Sequence, residues 1–441
     1  MRNYLRAFAA FPPDVKRFLA FNVFGLLAYG VYQVVFNLYL VRLGMREDDI
    51  GIISAVQTLS MAAGGIVLGV LLNRFGAWLC TTAGLFLFLM AAFALAFAES
   101  RLLLIALSLA YGFGLQFLFN TTMPFILEWC GPKQRAQAGT IALSLASISL
   151  TIGSLVGGLL PALAAEFSYF SSSSLEAYRW TLVVGNIICA FGLIPLFRMT
   201  SARAAGAPVP ANAVVVKPSV TARKQARSDL FVFVAVGGVL SLGVGMVIPF
   251  YNVFLESKGA DTQQVGLVFA ISGACAAVIG LGSQWLGHRF GSIWAASALR
   301  FASAPAIALL IIFPNYSYGI AAYLFRQSTI SMAWPLESSF IGELLPPRSR
   351  ARAFGLRSTS WNFGYSFAAV LGGRIIVRTG YDWTFVSMAF FVGLAALMHL
   401  LYFKRHPSIR AGDMPSALPF RRTRIAVDPA LAIDSTPSIA T

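Results

Sequence analysis

Four charged residues stand inside long apolar runs in the second half of this 441-residue chain: Arg300, Arg326, Glu337 and Arg357, with Arg374 near the end of a further run. A charge surrounded by apolar side chains is costly unless a partner or a polar cavity receives it, so each is a candidate for chemistry. Glu337 could carry a proton, since burial raises a carboxyl pKa towards neutrality. It could equally neutralise Arg300 or Arg357. Arg326 could meet an anion, or bond to backbone carbonyls. On one helix, Arg326 and Glu337 would lie three turns apart on nearly the same face, roughly 16 Å from each other and too distant to pair.

The first half offers neutral polar groups instead. Gln33 and Asn37 are four residues apart, as are Gln116 and Asn120, so each pair projects from one helix face. Tyr29 precedes the first pair by one turn, and Trp361 and Tyr365 form a similar aromatic pair in the second half. These side chains could line a cavity or hydrogen-bond between helices. Aromatic walls with few fixed charges suit amphipathic organic molecules better than hydrophilic sugars. No nucleophile has a base nearby, no glycine-rich phosphate loop follows a strand, and the three histidines and four cysteines form no metal-ligand spacing. Neither an enzyme nor a cofactor is expected.

The elements that would hold these residues follow from composition. Apolar residues make up 58% and charged residues 11%, against about 45–50% and about 25% in soluble proteins. Such a chain belongs in a bilayer, where a spanning helix needs roughly 20 apolar residues. Twelve stretches qualify: 17–40, 50–72, 77–98, 101–127, 136–161, 178–199, 229–255, 262–287, 292–313, 317–342, 351–376 and 382–403. Continuous runs such as Leu102 to Phe119 exclude the alternation of a membrane β-barrel. The organisation is a leader 1–16 without a cleavable signal, a bundle 17–199, a linker 200–228, a bundle 229–403 and a disordered tail 404–441. The formal charge of +16 is better explained by topology than by nucleic acid. The segments on the side of the two termini and the linker carry 23 Lys and Arg, and those on the other side 6, so both termini are expected in the cytoplasm of a cell with the chain in its plasma or inner membrane.

The two bundles repeat each other at an offset of 215 residues. Asn37, Leu40, Gly44 and Gly51 recur as Asn252, Leu255, Gly259 and Gly266, and Arg74-Phe75-Gly76 recurs as Arg289-Phe290-Gly291. Glu128, Arg135 and Gly157-Gly158 recur as Glu343, Arg350 and Gly372-Gly373. Beyond a longer loop in the first half the offset becomes 203, carrying Tyr178 and Trp180 onto Tyr381 and Trp383. Six crossings per half, an even number, make this a parallel repeat about an axis normal to the membrane, with a shared cavity between the halves.

The loop after the second helix reads Gly69-Val70-Leu71-Leu72-Asn73-Arg74-Phe75-Gly76, which resembles the signature of the major facilitator superfamily, with Asn73 in place of its acidic residue. The resemblance covers about residues 17–403 and implies an all-α integral membrane fold of 12 transmembrane helices, as two parallel six-helix repeats around a central cavity. It implies a monomeric secondary transporter that moves a small organic solute by alternating access, with protons as the coupling ion. Tyr29, Gln33, Asn37, Gln116, Asn120, Arg326, Trp361 and Tyr365 are the candidate substrate residues, and Glu337 the candidate coupling residue. Asn73, Arg74, Glu128, Arg135, Arg289, Glu343 and Arg350 are the candidate gating residues. Gly153-Ser154-Leu155-Val156-Gly157-Gly158 resembles the family's antiporter motif with Ser154 in place of proline, which points to efflux of amphipathic, drug-like molecules. Uptake or exchange of an organic anion, and a lipid flippase or transporter-like sensor, are the alternatives.

Overall fold

The computed structural model describes residue 8 and residues 11–167, 171–199, 220–345 and 347–407. Most of the expected leader, linker and tail lie outside these residues, while 13–16, expected as leader, are the first turn of α1. Twelve helical spans run antiparallel to their chain neighbours. In the first half they are α1 (Pro13–Arg42), α2 (Glu47–Leu72), α3 (Arg74–Phe97), α4 (Arg101–Trp129), α5 (Pro132–Phe167) and α6 (Leu175–Phe197). The second half continues with α7 (Gln225–Ser257), α8 (Thr262–Gly280), α9 (Ser292–Ile311), α10 (Tyr316–Leu344), α11 (Pro347–Thr379) and α12 (Asp382–Lys404). Ten of these are long and apolar enough to cross a membrane on hydropathy alone. The other two are α10 and α11, which carry charges and runs of neutral polar residues such as Gln327-Ser328-Thr329 and Ser358-Thr359-Ser360. Both form as helices at the expected places.

Several helices outrun the apolar stretches. The turns of α1, α5 and α11 extend past the first charged residues, because Arg, Gln and Ala propagate a helix as well as Leu does. The helical run that becomes α7 begins at Val220, so residues 220–228, expected as linker, are helix. Local chemistry sets the ends. Pro13 starts α1 at a position where its missing N–H costs nothing, and Asp261 caps α8 by accepting from the Gln264 N–H at 2.7 Å. Glycines with positive φ close two pairs of turns that obey the repeat: Gly44 (83°) and Gly259 (95°), then Gly76 and Gly291 (both 77°). A side chain strains that conformation, which is why these four survive in register.

Rings fill each bundle. Phe18 stacks on Phe125 with centroids 3.8 Å apart, and Phe233 on Phe403 at 4.6 Å. Large apolar side chains such as Ile66, Val70, Leu102, Phe231 and Leu281 point outward and are exposed, the pattern of a multi-pass membrane protein whose rim faces lipid.

The halves meet mainly through α2 against α11 and α5 against α8. The contact is reciprocal at the repeat offset. Asn37 Nδ2 donates to the Pro249 carbonyl, and its repeat mate Asn252 donates to the carbonyl of Val34, itself the mate of Pro249. Tyr178 bonds Thr262 through their hydroxyls, while its mate Tyr381 donates to Glu47, the mate of Thr262. Burial, with the Glu47 carboxylate beside it, raises the Tyr381 phenol well above its usual pKa, so it stays a donor. Glycines form the seam itself: Gly266 packs on Ser154 and Gly158, and its mate Gly51 on Ala369, the mate of Ser154. Arg42 pairs with Glu256 at the rim. All of these residues lie at the end opposite the termini and linker, hereafter the seam end.

Candidate functional site

Directly beneath the Asn37 and Asn252 clasp lies a cavity of about 270 Å³ between the halves. Its walls come from α1, α2 and α4 on one side and α7, α8, α10 and α11 on the other, with Tyr29, Gln33, Asn37, Gln57, Tyr323 and Tyr365 among the lining side chains and no charged residue. The repeat explains the position, since two similar bundles joined at one end leave a void on their shared axis.

Local packing fixes the polar groups. The Gln57 amide donates to the Tyr32 hydroxyl at 2.8 Å. Tyr32 is sandwiched between Phe36 and Tyr111, each with ring centroids 4.3 Å away. Tyr29 meets Phe119 edge-on at 4.9 Å. Across the cavity Tyr323 lies between Tyr251 and Phe269, both at 4.9 Å, and Tyr251 is anchored to the Gly319 carbonyl at 2.7 Å. The short 3-10 turn Ile248–Phe250, formed where Pro249 interrupts α7, presents the carbonyl that Asn37 takes. The wall can therefore hold a ring by its faces and a few polar atoms by hydrogen bonds.

Of the expected substrate residues, Tyr29, Gln33, Asn37 and Tyr365 line this cavity. Asn37 is engaged in the clasp. Gln116 and Asn120 point elsewhere: Gln116 packs where α4 crosses Gly64 and Gly65 of α2, and Asn120 is exposed with its amide towards the Gln116 carbonyl. Trp361 and Arg326 border a separate small cavity of about 40 Å³ inside the second half. Tyr32, Gln57, Tyr323 and Asn252 line the central cavity without having been singled out as substrate residues. Asn252 had a signal in the sequence, as the repeat mate of Asn37.

Glu337 is fully buried and accepts from Arg300 and Arg357 through one carboxylate oxygen. The neutralising role is the one the structure displays for Glu337. Arg357 also lies 4.7 Å over the Trp334 ring, and His399, beside this group, bonds Ser297 at 3.0 Å. Polar atoms are left over around the cluster: Arg300 Nη1, Arg357 Nε and Nη1, Glu337 Oε1 and Arg326 Nε are buried without a hydrogen-bond partner.

The gating candidates divide. Glu128 accepts the Ala77 N–H at 3.1 Å, so it caps the turn at Gly76. Arg135 donates to the carbonyls of Leu127 and Cys130, closing the end of α4. These contacts tie loops of the first half to each other. Arg74 and Arg289 lie against the rings of their neighbours Phe75 and Phe290. Glu343 sits in the last turn of α10, while the side chains of Asn73 and Arg350 lie outside the described residues. The Gly153 to Gly158 run is accounted for by packing, with Gly153 on Leu27 and Gly30, Gly157 on Val31, and Gly158 on Gly266.

A model of the Major Facilitator Superfamily matches residues 18–325 and 233–431. An MFS-type transporter of Aspergillus fumigatus is 24% identical over 398 residues, covering 85% of this chain and 86% of that relative. An uncharacterized MFS-type transporter of Bacillus subtilis, YqjV, is 26% identical over 181 residues, covering 38% of this chain and 42% of that one. Among solved structures, the nucleoside transporter NupG superposes with a TM-score of 0.72 at 13% identity, over 89% of this chain and all of the other.

Proposed function

Because this chain belongs to the Major Facilitator Superfamily and is a transporter of the secondary type, we propose that it carries a small organic solute through the central cavity by alternating access. The observation that supports this reading is the cavity itself, wedged between the halves, closed at the seam end, and lined by tyrosine, glutamine and asparagine side chains with no fixed charge. Such a lining favours a solute whose body is uncharged, carries a ring and offers a few hydrogen-bonding atoms. The excess of basic residues beside the termini and linker supports placing that end in the cytoplasm. In that orientation the seam lies on the outer side, which supports reading this as a state closed to the outside.

Glu337 enters this proposal as a structural residue, because its carboxylate is already shared by two buried arginines. Counterflow of labelled candidates in proteoliposomes tests the cavity. Gln33→Ala and Tyr365→Ala are each expected to lower the exchange of a transported solute about tenfold, the loss of one or two buried contacts. If both variants exchange that solute like wild type, the cavity is not the substrate site.

A further inference from the structure

Three arginines and one carboxylate occupy the core of the second half: Arg300, Arg326 and Arg357 against Glu337. The net charge of this set is +2. Glu337 is shared between Arg300 and Arg357, and no carboxylate among the described residues pairs with Arg326. The titratable groups that bear on Arg326 electrostatically are the phenols of Tyr251, Tyr323 and Tyr365. Arg326 is 5% exposed. A buried guanidinium without a counter-ion is expensive in a membrane, and where no carboxylate or carbonyl receives it, it marks a place for an anion.

The space for that anion is present. The cavity of about 40 Å³ is bounded by Arg300, Arg326, Ser303, Thr329, Trp334 and Trp361. At about 10–15 Å³ per water-sized probe it holds roughly three such atoms, the size of a carboxylate group. Arg300 and Arg326, two of the residues that bound it, each have a buried guanidinium nitrogen without a hydrogen-bond partner, Nη1 and Nε respectively. The hydroxyls of Ser303 and Thr329 donate to the carbonyls of Arg300 and Arg326 in their own helices, so the guanidinium groups are the cavity's charged donors. The cavity lies next to the central one. On α10, Tyr323 of the central cavity precedes Arg326 by three residues, and on α11, Trp361 of the small cavity precedes Tyr365 of the central one by four. One helical turn, about 5–6 Å, separates the two.

We propose that the small cavity receives the carboxylate of the transported solute, gripped between Arg326 and Arg300, while the uncharged body of the solute rests in the central cavity. This rests on the reading of the central cavity as the transport site, and it narrows the cargo to organic monocarboxylates whose acid group stands about one helical turn from a hydrogen-bonding body. In this arrangement Glu337 offsets one arginine charge through Arg300 Nη2 and Arg357 Nη2, and Arg300 Nη1 is left without a partner.

The test uses the full-length protein in lipid nanodiscs and reads the thermal midpoint as benzoate, nitrate or benzamide is added, with chloride adjusted to hold ionic strength. A ligand that binds the folded state raises the midpoint progressively. The expected result is a rise with benzoate and none with the uncharged isostere benzamide. In Arg326→Gln the benzoate affinity should fall about tenfold or more, the loss of a charge-assisted contact. Should Arg326→Gln fail to fold, 4-nitrobenzoate quenching of tryptophan fluorescence gives a second readout. It should exceed quenching by 4-nitrobenzamide and weaken in Trp361→Phe. A benzoate rise that persists unchanged in Arg326→Gln overturns the proposal, as does a nitrate rise without one for benzoate, which would mark an inorganic-ion site. So does equal quenching by the acid and the amide. The two readings fail separately. Absence of a benzoate effect alongside counterflow that still depends on Gln33 removes the carboxylate and leaves the transport cavity standing.

Discussion

The glycine seam makes a quantitative prediction about which state the transporter occupies. In the closed seam, a Cβ built on Gly266 would sit 2.6 Å from the Gly158 Cα and 2.7 Å from the Ser154 carbonyl oxygen. Ordinary contact begins near 3.4 Å, so Gly266→Ala requires α8 and α5 to separate by about 0.8 Å at that point, and both obstacles are backbone. Overpacking of this kind costs about 1–3 kcal/mol, and it is felt only where the seam is closed. The equilibrium between seam-closed and seam-open states should therefore move towards opening by about five- to 150-fold. Alanine also favours helix over glycine by up to about 1 kcal/mol in both states, so melting temperature is the wrong readout. Pulsed electron-electron spin resonance is the right one. Spin labels on Ser173 and Lys258, exposed positions of opposite halves at the seam end, should show a longer-distance population that grows in Gly266→Ala. Gly51→Ala, at the repeat-related position, should act in the same direction, and Gly69→Ala, with no atom within 4 Å of its Cβ, should do nothing. Distance distributions in Gly266→Ala that match wild type would refute the argument.

Glu337→Gln should lower stability by about 3–5 kcal/mol, because it leaves Arg300 and Arg357 buried without their shared carboxylate. Thermal unfolding in detergent reads this, and a variant that unfolds like wild type while losing accumulation driven by a pH gradient would return Glu337 to the coupling role. The two asparagines of the clasp should behave as one unit. Asn37→Ala and Asn252→Ala each remove one link between the halves, about 1 kcal/mol apiece, and the double variant should shift the spin-label distances by the sum of the two effects or less. A shift far above the sum would mean that either asparagine alone suffices to hold the clasp.

The architecture was readable because hydropathy and self-similarity are properties of the chain alone. The offset of 215 residues relates Asn37 to Asn252, but it does not reveal that each donates to a backbone carbonyl of the opposite half in the seam. The partners of Glu337 were legible too, since helix geometry excluded Arg326 and left Arg300 and Arg357. Spacing is less informative about which neighbour a face meets. Gln116 and Asn120 are spaced to share a face, but Gln116 meets Gly64 and Gly65 of α2 while Asn120 is exposed, and α4 is interrupted at Thr121, whose hydroxyl bonds the Phe117 carbonyl at 2.9 Å. Trp361 and Tyr365 likewise share a face, yet one turn of rise divides them between two cavities. Glu128 and Arg135 look like an ion pair in the sequence and instead satisfy backbone groups, a competition that only the fold decides.

A seam in which residue i meets j while the mate of i meets the mate of j has the form of an isologous dimer interface, folded into one polypeptide. One solution to the packing problem serves twice. A substitution at one of the repeated seam positions, such as Asn37, Gly51 or Tyr178, thus has a twin whose effect can be forecast from the first. The buried charges obey no such rule, since no counterpart of Arg300, Arg326, Glu337 or Arg357 occurs in the first half: Leu85, Tyr111, Thr122 and Ala142 stand at those positions. Joining the copies covalently is what permits this asymmetry. The interface can remain a matched pair while one member alone carries the buried charges.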